Sequence, residues 1–273
     1  MENVYDKLVN VLLKNKFPYT DSLIHAFVGG SGLHGAQVKA GHDDDFFGIF
    51  IEPPNKVIGL HEYQHYVWST SGDHERNVPG DVDICLYSLR KWARLASGGN
   101  PTALGYLFVP PERLLDLDSG GFIKRYSWLT VLQNRDLFIS RTCVKSFEGF
   151  ARHQLERITG ERGLGKHGQR PELEEKFGYD VKAAMHVIRL LGEGIEILEH
   201  GNITYPRPNK GILIAIRSGK YELSFIKEMA DVLFADLERA ARESTLPDNV
   251  DTEKISDLLT KVYVDFWEDH GLI

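Results

Sequence analysis

Between Leu23 and Glu52 one apolar run stops on glycine and a second one starts on aspartate. Leu23 to Val28, with His25 inside it, ends at Gly29-Gly30-Ser31. A turn of small residues with Gly32 and Gly35 follows, and Asp43 and Asp45 then open Phe46 to Ile51, rich in β-branched and aromatic residues. Short apolar runs of this kind, bounded by turn residues, read as strands. Gly30 has no Cβ, so the backbone there can approach a phosphate closely. Ser31 adds a hydroxyl, and a helix starting at this point would offer free N–H groups to an anion. Residues two apart on a strand share a face, so Asp43 and Asp45 can aim two carboxylates at one spot while Asp44 points away. Carboxylates beside a phosphate site repel it unless a metal lies between them, and Mg²⁺ (or Mn²⁺) suits because it binds through a few carboxylates plus substrate phosphates.

Downstream, Asp81-Val-Asp-Ile-Cys-Leu-Tyr reads as another strand, with Asp81 and Asp83 alternating onto one face. Ser88 is placed to cap a helix from Leu89 that Gly98-Gly99 ends, and Asn100-Pro101-Thr102 starts a second helix toward Phe108. Gly-Ser, a spacer and Asp-x-Asp on a strand resembles the DNA polymerase β-like nucleotidyltransferase superfamily. The segment Leu86 to Leu104 is similar to one branch of it, the RNA-repair-pathway polymerase-β-like family of predicted nucleotidyltransferases of bacteria and phages. So is Arg170-Pro-Glu-Leu followed by Gly178-Tyr-Asp-x-Lys-x-Ala-x-His-x-x-Arg-Leu. These matches run from about Ala26 to Ile216. The chain departs from the pattern at Gly105, where that family would carry Glu.

The resemblance implies an α/β (α+β) nucleotidyltransferase fold. A short mixed sheet with helices on one side would occupy residues 1–130, and a helical domain, 131–273, would close one wall of a cleft. It implies a third carboxylate on a neighbouring strand, for which Asp83, deeper in its apolar run, is the choice and Asp81 the fallback. Asp43, Asp45 and Asp83 would then bind the metal and carry catalysis, while Gly30 and Ser31 would grip the β/γ-phosphates. The expected activity is transfer of a nucleoside monophosphate from a nucleoside triphosphate to an acceptor hydroxyl, with release of pyrophosphate. RNA, tRNA, a protein side chain and a small molecule are all open as acceptors.

On a predicted helix from Val181 to His200, Lys182, His186, Arg189 and Glu193 form a second stripe beside the apolar one. With Arg170 they are candidates for phosphate or acceptor contacts. Such a stripe is expected to be exposed, so that removing Lys182 or Arg189 leaves the melting temperature nearly unchanged. Tyr179 reads as a core residue that could instead stack on a base. The basic, glycine-rich run from Gly160 to Arg170 lacks the Lys-Ser or Lys-Thr of a P-loop and reads as a connector or a loop over the nucleotide.

Other features exclude more than they assign. The net charge of −7 argues against a protein that coats nucleic acid, though it leaves room for a local basic cleft. Cys85 and Cys143 offer neither a disulfide framework nor a zinc knuckle. The first residues lack the shape of a signal peptide, and no apolar run approaches the ~20 residues of a membrane span, so a soluble, cytoplasmic protein is expected. His61-Glu62-Tyr63-Gln64-His65 has the form of a zinc-protease motif, which requires a helix; Gly59 before it and the strand-like residues after it oppose one. A zinc hydrolase through His61 and His65, and an inactive nucleotide- or RNA-binding module on the same fold, are the alternative functions.

Overall fold

The computed structural model describes residues 4–38, 44–71, 81–115, 122–160 and 170–273. Asp43 and residues 161–169 of the glycine-rich run lie outside them. The first half holds α1 (Val4–Lys14), β1 (Leu23–Val28), α2 (Gly30–Leu33), β2 (Asp44–Phe50), α3 (Pro54–Val57), β3 (His65–Ser69) and β4 (Val82–Ser88), then α4 (Leu89–Ser97) and α5 (Pro101–Gly105). Helices make up the rest: α6 (Phe122–Gln133), α7 (Cys143–Thr159), α8 (Pro171–Phe177), α9 (Val181–His200), α10 (Lys210–Arg217), α11 (Leu223–Glu243) and α12 (Thr252–Asp269).

The four strands form one mixed sheet in the order β1-β2-β4-β3. The outer pairs are antiparallel and the central pair, β2 with β4, is parallel. Alternation sends apolar side chains to both faces. Phe46, Phe50, Ile84 and Leu86 pack with Leu8 and Leu12 of α1. Ile24, Phe27 and Ile49 join the large cluster of the other helices, including Trp92, Trp128 and Phe147. Helices therefore cover both faces, which corrects the expectation of helices on one side. With both faces of β2 this apolar, a second layer must shield the face turned away from the helical half.

Local signals fixed the helix ends. The Ser88 hydroxyl accepts from the Lys91 amide at 3.2 Å, and the Asn100 side chain accepts from Ala103 N–H at 3.1 Å. Asp180 caps α9, accepting from the amides of Lys182 and Ala183 at 2.9 and 3.0 Å. Gly201 ends α9 in the left-handed region, φ 63°, which glycine enters at least cost. α9 is enclosed by α7, α10 and α11, and most of its circumference is buried, from Val181 and Ala183 to Ile197 and Leu198.

The last helix returns to the sheet. At the end of β2, buried Glu52 accepts a hydrogen bond from the Tyr263 hydroxyl, and Trp267 Nε1–H donates to the Glu52 carbonyl at 2.8 Å. Tyr263 Oη also accepts from the Arg90 amide at 3.1 Å. Burial pushes the Glu52 carboxyl up, and the Tyr263 hydroxyl is the largest influence holding it down. Tyr263→Phe leaves that carboxyl short of a donor, so urea denaturation is expected to show a loss of about 1–3 kcal/mol, the cost of an unmet buried polar group.

Candidate active site

A cleft of about 870 Å³ opens between the sheet and the helical half. One wall is the Gly29–Ser31 turn with Asp45. The opposite wall comes from α8, α9 and α10 through Phe177, Lys182, His186, Arg189 and Arg217. Phe27, Phe47 and Tyr106 supply apolar surface between them.

The turn is shaped by the carboxylate next to it. The Gly29 amide donates to the Asp45 carbonyl at 2.9 Å, tying the turn to β2. Gly30 has φ +60°, and a Cβ there would lie 1.9 Å from Asp45 Oδ2. Glycine is thus required twice, by backbone conformation and by the approach of the acid. Ser31 follows on the single turn of α2 and faces the cleft.

Asp45 pairs in register with Asp83 across the parallel β2–β4 ladder. Neighbouring strands lie about 4.8 Å apart, and directly paired residues project to the same face. The two carboxylates therefore share one face of the sheet, beside the glycine turn. Asp44 faces the other way, where Lys7 of α1 reaches it at 2.5 Å. The fallback, Asp81, is buried just before β4, where it accepts a hydrogen bond from the Ser71 hydroxyl. Among the described residues no group of three or more His, Cys, Asp or Glu side chains could hold a metal. Asp45 and Asp83 are two of the expected three, and Asp43 lies outside the described residues. Both are hard oxygen donors, of the kind that fits Mg²⁺ or Mn²⁺ rather than a softer metal.

Lys182, His186 and Arg189 all line the cleft, but their stripe is not a solvated face. Below them Glu193 is 1% exposed. Its carboxylate receives Arg189 Nη1 at 2.6 Å, His34 Nδ1 at 3.2 Å and, more distantly, Arg207 Nε at 4.0 Å. Burial alone would raise its pKa, yet Arg189, His34 and Arg207 hold it at about 2. The charge of Arg189 is thus matched within the protein, and the expectation that it stands exposed is corrected. His186 is held neutral chiefly by burial, then by Arg189 and Lys182, and burial and Arg189 also lower His34. Arg170 donates to Asp180 at 3.0 Å, so it secures the start of α9 rather than the cleft wall. Tyr179 is a core residue, buried with its hydroxyl donating to the Tyr221 carbonyl at 2.7 Å.

Cleft residues that carried no signal in the sequence include His34, Lys176, Tyr205 and Arg217. Tyr205 accounts for the departure at Gly105. A Cβ there would lie 2.7 Å from the Tyr205 hydroxyl, which takes the space a longer side chain would need. The zinc-protease pattern meets no helix. His61 and His65 are exposed, His65 opens β3, and Glu62 is engaged with Arg90 at 3.2 Å.

Removing Glu193 strands Arg189 and takes the carboxylate from beside His34, while Arg207 keeps Glu196. Glu193→Ala is expected to cost about 3–5 kcal/mol in denaturant unfolding, as for other broken buried ion pairs. The folded pKa of Glu193 lies below its ordinary 4.5, so its stabilisation is present above that pH and is lost as pH falls toward 2. Across that window Glu193→Gln is expected to flatten the acid dependence of stability, measured as the denaturation midpoint against pH.

Known proteins bear on these features. A protein of Enterobacteria phage T4, described as an uncharacterized 38.9 kDa protein in the nrdC-mobD intergenic region, is 31% identical over 125 residues. That match covers 46% of this chain and spans about a third, 35%, of the phage protein. The crystal structure of a nucleotidyltransferase-like protein from Exiguobacterium sibiricum 255-15 aligns over 88% of this chain and 72% of its own, at 9% identity. Its TM-score of 0.28 is too low to bear on fold or function. The decisive match is a family profile that takes in the glycine turn, both acid-bearing strands and the α9 stripe together. It extends over residues 1–261, and the chain belongs to the RNA repair pathway DNA polymerase beta family, RlaP.

Proposed function

We propose that the cleft catalyses metal-dependent nucleotidyl transfer, with a nucleoside triphosphate as donor and a hydroxyl as acceptor. The observation that carries this reading is the in-register pairing of Asp45 with Asp83 beside the Gly29-Gly30-Ser31 turn. Two acids on one face, next to a backbone that only glycine allows, suit a phosphate held close to a shared cation. Asp45 and Asp83, with Asp43 added from the Asp-x-Asp spacing, would hold divalent Mg²⁺ or Mn²⁺. Bound there, the ions would offset charge on the phosphates and on the attacking and leaving oxygens.

The chain's own groups do the rest. Gly30 and Ser31 hold the outer phosphates close to the turn. Lys182 meets them from α9. Arg189, anchored on Glu193, presents a fixed guanidinium edge rather than a mobile cation. Asp83 takes the proton of the acceptor hydroxyl. The acceptor oxygen bonds to the α-phosphorus, the bond from that phosphorus to the bridging oxygen of the β-phosphate breaks, and pyrophosphate leaves. The family's place in RNA repair makes RNA the first acceptor to try.

The test is incubation with each α-labelled triphosphate and Mg²⁺ or Mn²⁺, with whole-cell RNA and protein offered as acceptors. The wild-type protein is expected to move label into one class of acceptor. Asp43→Ala, Asp45→Ala and Asp83→Ala should each lower the rate by about 10³-fold or more, since losing ~4 kcal/mol of transition-state stabilisation has that effect. Circular dichroism should show the fold retained. Asp44→Ala, which removes the Lys7 contact on the far face, should change the rate little. A wild-type protein that binds triphosphate yet labels nothing would be a binding module instead.

A further inference from the structure

The arginines around the cleft differ in how their charge is met. Arg189 is matched by Glu193, Arg207 by Glu196, and Arg170 by Asp180. Arg217, in the last turn of α10, lines the cleft and is partly buried, yet among the described residues no carboxylate lies within ion-pair distance of it. Among the described residues its hydrogen bond runs from Nη1 to the Ala36 carbonyl at 2.8 Å. Burial first, and the like charge of Arg170 second, work against its charged form. A guanidinium nonetheless stays protonated at ordinary pH. A half-buried cation facing an open cleft, with its remaining donors unmatched by any acid among the described residues, calls for an anion from outside.

The position of Arg217 suggests which anion. Ala36 is fastened to the same turn that meets Asp45: its amide donates to the Ser31 carbonyl at 2.9 Å, and Gly30 abuts the Asp45 carboxylate. The segment Gly30–Ala36 therefore leads from the acids to Arg217. A triphosphate whose reacting phosphate lies at the acids, and whose chain follows this segment, would carry its last phosphate toward Arg217. The planar fork of a guanidinium suits a terminal phosphate, which offers several oxygens in one plane of approach.

We propose that Arg217 reads the terminal phosphate of the bound nucleotide and so sets the preference of this cleft for triphosphates over diphosphates. The proposal rests on the nucleotidyl-transfer reading of the same cleft. On release, the group that Arg217 holds becomes the outer half of the pyrophosphate. Arg217 therefore acts on binding and departure of the leaving group and not on the attacking oxygen.

Calorimetric titration tests this with ATP, GTP, CTP and UTP, each against its own diphosphate, in Mg²⁺, using the wild type, Arg217→Gln, Arg217→Lys and Asp45→Asn. Glutamine keeps a donor for the Ala36 carbonyl but loses the charge and the fork. The wild type is expected to bind its preferred triphosphate about 10- to 100-fold more tightly than the diphosphate, the range of a charge-assisted contact. In Arg217→Gln that ratio should collapse to near one, chiefly through weaker triphosphate binding, and Arg217→Lys should restore part of it. A purely structural role would weaken both ligands alike and leave the ratio unchanged, and that result would overturn the proposal. If Arg217→Gln keeps the wild-type ratio while Asp45→Asn alters nucleotide binding, Arg217 is not the reader but the nucleotide reading stands. If the wild type binds no triphosphate, both fail together.

Discussion

Parallel pairing of β2 with β4 is the contact on which the candidate site depends. A parallel pair needs a long crossover, and here α3 and β3 lie between the two strands in the chain. The register brings Asp45 opposite Asp83. A slip of one residue would turn Asp83 toward the α1 face and separate the two acids. The apolar alternation of β4 opposes such a slip, because Val82, Ile84 and Leu86 are buried on the α1 side while Asp83, Cys85 and Tyr87 are turned to the other. Core packing on one face thus fixes the position of charge on the opposite face.

The second determinant is ionic. Glu193, His34, Arg189 and Arg207 come from the turn after β1, from α9 and from the segment before α10. Within the helical half Arg189 and Arg207 neutralise Glu193, and His34, kept neutral by burial and 3.2 Å from the same carboxylate, ties the glycine turn to it across the base of the cleft. Buried ion pairs of this kind often add little net stability against an apolar replacement, but losing one partner is costly. Their use here is positional: the cleft walls cannot separate without exposing a carboxylate that two arginines neutralise. Arg189 and His34 are oriented toward the cleft by the same carboxylate.

Much of the fold was legible because it rests on local chemistry. The strands followed from apolar alternation, α4 from the Ser88 cap, and α9 from its periodicity and from Gly201. The direction of Asp44, away from Asp45, followed from the two-residue period alone, and Lys7 now accounts for its partner. What was not legible depends on contacts distant in sequence. Periodicity predicts one buried face for α9, but α7, α10 and α11 enclose it, so a polar stripe that reads as solvated becomes a buried network. Arg217 showed nothing in its sequence neighbourhood, because its significance lies in a carbonyl 181 residues earlier and in the lack of a nearby acid among the described residues. Gly105 carries no carboxylate, and Tyr205, distant in sequence, fills the space a side chain there would need. His61-x-x-x-His65 had the right letters without the helix that gives them chemistry.

The central claim is that Asp45 and Asp83 share a divalent centre next to Gly30. Anomalous diffraction from crystals grown with Mn²⁺ and a non-hydrolysable triphosphate analogue tests it most directly. The account predicts a Mn²⁺ peak within about 2.0–2.3 Å of carboxylate oxygens from both residues, as hard divalent cations require, with phosphate oxygens completing the shell on the Gly30 side. A Mn²⁺ peak at His61 or His65 instead, or a nucleotide bound with no metal at Asp45 and Asp83, would contradict it.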